Sequence, residues 1–247
     1  MLKYKLIFNF MNLYGENKNE FTKEKSFYMK RMLQMSETLQ VAVFLALSGG
    51  LMDAYSYMLR GKVFANAQTG NMLLLGVYAS KENLDMCIKY AFPIFSFTIG
   101  ILLAQFIRMK NIKKLHWRQA SLIVEVVLLI IVGFLPESKN QLANALTSLS
   151  CGIQVQTFRK LYGSGFSTTM CIGNLRSGTH KILDYFYSRK KEDLKMALYY
   201  FFIIICFVIG AIIGSKLSVY FKLRTIWVSP CLLLISILFM FIEKKKV

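Results

Sequence analysis

Two carboxylates stand inside otherwise uncharged stretches of this sequence. Asp53 lies in "SGGLMDAYSYML" (48–59) and Glu125 in "ASLIVEVVLLIIV" (120–132). An ionisable group among the apolar residues of a helix costs about 3 kcal/mol or more in a bilayer unless it faces a cavity or a partner, so each is a candidate to bind a coupling ion or a solute. On a helix, Gly49, Ser56 and Tyr57 share the face of Asp53 at three- and four-residue spacing. Arg60 shares it too, but about 10 Å further along the axis, too far for a direct pair. The competing reading makes Asp53 a structural tie between its helix and the polar segment that follows. For Glu125 the two readings are a proton relay and a side chain that reaches back to Arg118, two turns away.

Amide and hydroxyl groups concentrate in two further places. "FANAQTGN" (64–71) carries Asn66, Gln68, Thr69 and Asn71 directly before the hydrocarbon of Leu73, Leu74 and Leu75. The second place begins in "IQVQT" (153–157) with Gln154 and Gln156. It continues in "STTMCIGNLR" (167–176) with Thr168, Thr169 and Asn174, and there Arg176 adds a fixed positive charge. An arginine fork in such a cluster suits an anionic or carboxylated solute; the ordinary structural partner is Asp53, from the other half of the chain. Together with Asp53 these residues form the candidate substrate-binding set. Cys87, Cys151, Cys171, Cys206 and Cys231 are scattered, with no C-x-x-C pair, and read as small apolar residues. His116 lies in a basic loop and His180 beside one. No metal or cofactor is expected.

The elements that must hold these groups follow from hydropathy. Segments around 39–59, 88–107, 119–135, 141–158, 197–215 and 226–242 are nearly uncharged in a chain that is 55% hydrophobic. A bilayer crossing needs about 20 apolar residues, and so many apolar helices in 247 residues exceed what one soluble core can bury. The fold class is therefore an all-α membrane protein, with a single membrane domain over 36–247. Residues 1–35 read as a peripheral or disordered extension: the short patch "LIFNFMNLY" is broken by Asn9 and Asn12, and no small-residue cleavage site follows. The net charge of +18 crowds into short connections such as "RMKNIKKLHWR" (108–118), as the positive-inside rule expects. That distribution points to the lipid bilayer as partner and away from nucleic acid.

The chain repeats itself. Leu47-Ser48 aligns with Leu149-Ser150, Gly50 with Gly152, Gly61 with Gly163 and Phe64 with Phe166. Gly70-Asn71 meets Gly173-Asn174 after a one-residue shift, and "FTIGILLA" (97–104) matches "FVIGAIIG" (207–214). If neither polar motif crosses, each half (about 37–135 and 139–242) has three spans and the halves are inverted. Six spans with a cytoplasmic N-terminus put 23 of the 31 Lys and Arg inside and seven outside, with Lys89 in a helix, whereas eight spans put 18 inside and 12 outside. Six spans and an inverted repeat are expected, with both termini cytoplasmic. Polar backbone at membrane depth is tolerated only inside protein or along a wet cavity, and two such breaks in matching places point to a midplane site of a secondary transporter.

Asp53-Ala54-Tyr55, the run from Phe64 to Asn71, Gln154-x-Gln156, Phe158-Arg159, Thr168-Thr169-Met170-Cys171 and Gly173-Asn174-Leu175-Arg176-Ser177 resemble the signature stretches of the YoaK (DUF1275) family of small bacterial inner-membrane proteins. The resemblance covers about residues 36–242 and implies an integral membrane protein of six spans. The residues themselves show no Ser-His-Asp order, no H-E-x-x-H, no P-loop and no dinucleotide-binding glycine pattern, so no enzyme is expected. The expected function is transport of a small polar or anionic solute across the cytoplasmic membrane; the alternative is a non-transporting structural or sensor protein. A homo-oligomer is compatible with either.

Overall fold

The apolar stretches end where the sequence supplies stops and caps. A computed structural model describes residues 38–110, 116–161 and 164–242; the expectation for residues 1–35 lies outside them. Helix α1 (Leu39–Leu59) stops where Gly61 takes a φ of +85° and the Lys62 N–H returns to the Tyr57 carbonyl at 3.1 Å, a Schellman turn that glycine makes without steric cost. Helix α2 (Gln68–Ala79) has 12 residues and is about 18 Å long. Asn83 caps α3 (Leu84–Met109) by accepting the Met86 N–H at 3.1 Å, and a His116–Gln119 capping box opens α4 (Trp117–Phe134). Next come α5 (Asn140–Thr157) and a small antiparallel hairpin, β1 (Lys160–Leu161) with β2 (Ser164–Gly165). The chain closes with α6 (Cys171–Ser188), α7 (Lys191–Phe221), a 3-10 turn (Lys222–Trp227) and α8 (Val228–Ile242).

Among the described residues four stretches are long and apolar enough to cross a membrane: α1, α3, α4 and the continuous run Lys191–Phe241 that holds α7 and α8. Helix α5 is a helix where the sequence predicts one, but of another kind. Its Asn144, Thr147, Ser148, Ser150 and Gln154 are all buried, so it is enclosed by protein and need not be apolar. Helix α2 is too short for a hydrocarbon core of about 30 Å. The outer faces of α3, α7 and α8 expose Phe95, Ile99, Leu102, Ile205, Ile212 and Leu238, and exposed apolar faces of this kind mark contact with a membrane or a partner.

The packing is reciprocal. Helix α1 lies against α7, and α5 lies against α3; α2 packs on α3 and α6 on α7; α8 packs on α1 and α4 on α5; α4 and α8 meet. Exchanging α1 with α5, α2 with α6, α3 with α7 and α4 with α8 leaves this pattern unchanged. Each half thus lends its first helix to the other half's third. Glycines make both crossings tight. A side chain at Gly50 would run into the Phe207 carbonyl and one at Gly210 into that of Leu47; one at Gly152 would strike the Phe97 carbonyl and one at Gly100 that of Leu149. Small residues that let backbones touch are the usual device where hydrophobic burial cannot drive helix association.

Candidate functional site

The first polar motif folds back on α1. The Asn66 N–H donates to Asp53 Oδ1 at 2.7 Å, the amides of Ala65 and Ala67 face the same carboxylate, and Asn66 Nδ2 donates to the Gly49 carbonyl at 3.1 Å. Asp53 therefore ties its helix to the motif and accepts backbone donors that the break in helix leaves free. Gln68 Nε2 donates to the Ala65 carbonyl at 2.8 Å and reaches Ser148 Oγ on α5 at 3.5 Å, which links the motif to the other half.

The two motif asparagines do the same work. Asn71 accepts the Phe64 N–H at 3.1 Å and donates to the Phe64 carbonyl at 2.7 Å. Asn174 accepts the Ser167 N–H at 3.2 Å and donates to the Ser167 carbonyl. Each clamps the backbone of the residue seven positions earlier, closing a loop that has no ladder partner. The one-residue shift in the sequence alignment reappears here, because Phe64 aligns with Phe166 while the clamp falls on Ser167.

The second motif reaches the same part of α1. Gln154 Nε2 donates to the Leu45 carbonyl at 3.0 Å and to Thr168 Oγ1 at 3.2 Å. Thr169 packs on Gly49, where an added side chain would meet its Cγ2 at 2.5 Å, and Cys171 lies within electrostatic reach of Asp53. Gly49 is thus touched by Asn66 of one motif and Thr169 of the other. Asn66 Oδ1 and Thr169 Oγ1, of the two residues that touch Gly49, are buried and bond to no described protein group. The same holds for Gln154 Oε1 and Ser150 Oγ on α5 and for Ser56 Oγ, about two turns further along α1. These free acceptors and hydroxyls are chemically suited to a small polar molecule.

Not every predicted residue joins them. Thr69 and Arg176 are exposed, Arg176 on an outer groove of α6 beside Ile172, Leu175 and His180. Gln156 is half-buried and donates to Gln105 Oε1 on α3 at 3.0 Å. Glu125 does not reach toward Arg118: it is fully buried, and neither of its oxygens is hydrogen-bonded.

All but the outer ends of this architecture fall within one family match, to "Protein of unknown function (DUF1275)" over residues 41–239. This chain belongs to the DUF1275 family. It is also similar to the UPF0700 transmembrane protein YoaK of Bacillus subtilis (strain 168), with 29% identity over 203 residues that cover 78% of this chain and 89% of the relative. No solved structure matches. The DUF1275 chain is a helical transmembrane protein.

For two residues of this DUF1275 protein that the sequence singled out, it did not show their neighbours. Arg60 is buried at the end of α1 and donates to the Val132, Leu135 and Pro136 carbonyls at 3.1, 2.8 and 3.1 Å, to Asn140 Oδ1 at 2.9 Å and to Tyr55 Oη at 2.8 Å. It satisfies the orphan carbonyls that end α4, where the helix dipole favours a cation. The Arg60 carbonyl in turn accepts from Asn144 Nδ2 at 2.7 Å. The available clue was a lone arginine closing an apolar helix. Cys151 is the second: its thiol lies 3.9 Å from Met52 Sδ, within electrostatic reach of both Asp53 and Glu125.

Proposed function

We propose that this DUF1275 protein is a secondary transporter of the bacterial cytoplasmic membrane, moving a small polar or anionic solute through a site shared by the two polar motifs. The reading is carried by one observation: both motifs, which occupy equivalent places in the two halves, are seated at Gly49 on α1, where the halves exchange helices. Helix α2 is short, and α6 carries Arg176, Lys181 and Asp184 along its length. If neither crosses, six helices do, three from each half, and the reciprocal packing becomes an inverted repeat about an axis in the membrane plane. Both termini then lie in the cytoplasm.

The buried groups of the two motifs and of α1 and α5 offer neutral amides, hydroxyls and an acid, while Arg176 is exposed on α6. Neutral amides and hydroxyls suit a neutral polar solute; the charge of Arg176, which would suit an anion, is not among them. The test is purified protein in liposomes, offered labelled amino acids, sugars and carboxylates in turn. Saturable uptake of one class, lost in Gln154→Ala, is expected. Flux no greater than in protein-free vesicles for all three classes would contradict the proposal. It would favour the structural or sensor reading, which draws on the way Asn71, Asn174 and Arg60 are spent on internal backbone groups.

A further inference from the structure

The structure separates the two buried acids. Asp53 is supplied with backbone donors. Glu125, halfway along α4, has none: it is fully buried and both carboxyl oxygens lack any described hydrogen-bond partner. On its own helix Leu122, Val126 and Leu129 are buried core residues, and Ser121 spends its hydroxyl on the Trp117 carbonyl at 3.0 Å.

Among the described residues no cation packed against α4 pairs with Glu125: Arg60, at the C-terminal end of α4, spends its guanidinium on the Val132, Leu135 and Pro136 carbonyls, Asn140 and Tyr55. From α5 comes the Cys151 thiol, and beyond it, within that thiol's electrostatic reach, stand Asp53 on α1 and the Asn66 side chain. Helix α8 brings Ser229, bonded to Ser48, and Ser236, bonded to its own Leu232 carbonyl; its described residues include no acid or base other than Cys231, which is exposed. In the 3-10 turn Lys222 is exposed and Arg224 lies over the Trp227 ring at 5.9 Å. Arg108 of α3 and Arg118 of α4 lie over the Trp117 ring at 5.6 and 5.4 Å, at the start of α4. Among the described residues no ion pair involves Glu125.

A carboxylate buried without donor or cation is strongly disfavoured, whereas the neutral acid is tolerated. We infer that Glu125 is the proton-binding site of this fold: it holds a proton in the packed arrangement shown and releases it when α4 and α5 part enough to hydrate the Cys151 side. The Cys151 thiol, which Glu125 shares as a neighbour with Asp53 and Asn66, gives the proton a purpose, as the coupling ion of the proposed transporter, and only that purpose rests on the transport reading. Asp53, held by backbone amides, is the structural tie.

The experiment is labelling with dicyclohexylcarbodiimide, a lipid-soluble reagent that attacks protonated carboxyls, on the full chain in lipid vesicles across a pH series, followed by peptide mass mapping. The adduct is expected on Glu125 and not on Asp53, with its yield falling about tenfold for each pH unit above the midpoint. Glu125→Gln should abolish it and Glu125→Asp should restore it, which separates lost chemistry from lost folding. Adduct on Asp53 in place of Glu125, or a yield at Glu125 that does not change with pH, overturns the inference. Labelling that titrates at Glu125 in a protein that moves no solute supports the proton site and sinks the transport reading instead.

Discussion

Gly50 on α1 lies so close to the Phe207 carbonyl on α7 that no side chain fits between them, and Gly152 on α5 stands in the same relation to the Phe97 carbonyl on α3. These paired contacts fix how the two halves interlock, because each joins a first helix to a third helix of the opposite half.

Gly50→Val and Gly152→Val should both abolish the monodisperse folded protein, since backbone on the facing helix cannot yield as a flexible side chain would. Gly76, in α2, has nothing within 4 Å of where a side chain would begin. Gly76→Ala should therefore leave the protein intact and add up to about 1 kcal/mol of helix stability. Gel filtration and thermal unfolding in detergent check all three. Equal tolerance at Gly50 and Gly76 would refute the tight crossing.

The asparagine clamps predict matched losses. Asn71→Ala and Asn174→Ala each leave a loop N–H and carbonyl without their partner, at a cost of about 2 kcal/mol apiece. Thermal unfolding should show comparable destabilisation from either substitution. A large effect at one and none at the other would mean that the equivalence is geometric only.

Arg60→Lys keeps the charge but loses the planar fork that serves three carbonyls, Asn140 and Tyr55 at once. We expect a loss of about 3 kcal/mol, close to that of a broken buried charge network, seen as reduced folded yield. Unchanged stability would show that the α4 terminus finds other donors.

Orientation is open to a direct assay. With six spans, an impermeant thiol reagent added to intact cells should label Ser138→Cys in an otherwise cysteine-free chain, and should label Asn111→Cys only after the membrane is permeabilised. Labelling at position 111 from outside would reject six spans with a cytoplasmic N-terminus.

Much of this was legible in the sequence, and the rest has a physical reason for being hidden. The positions of α1, α3, α4, α5, α7 and α8 followed from uncharged runs, those of α2 and the charged α6 did not, and the equivalence of Asn71 and Asn174 followed from the repeat. The face on which a residue falls was not legible beyond the motifs, since the first residues of α2 and α6 had to be known before Thr69 and Arg176 could be placed outward. Glu125 could not be assigned to core or rim, because reaching back to Arg118 and pointing at Cys151 need the same sequence. Nor could the exchange of helices be read: Ser48 and Ser229 bond across 181 positions, and nothing local to either residue names its partner.

The measurement that most directly tests the central claim, that the polar motif of one half is seated on a helix of the other, is a thiol cross-link between positions 68 and 148. Gln68 Nε2 and Ser148 Oγ are 3.5 Å apart although one belongs to the first motif and the other to α5. In a chain freed of its native cysteines, Gln68→Cys with Ser148→Cys should be joined by a short bifunctional thiol reagent, giving a single cross-linked peptide in the mass spectrum. Absence of that peptide, in protein that elutes folded and whose two thiols each react singly, would contradict the account.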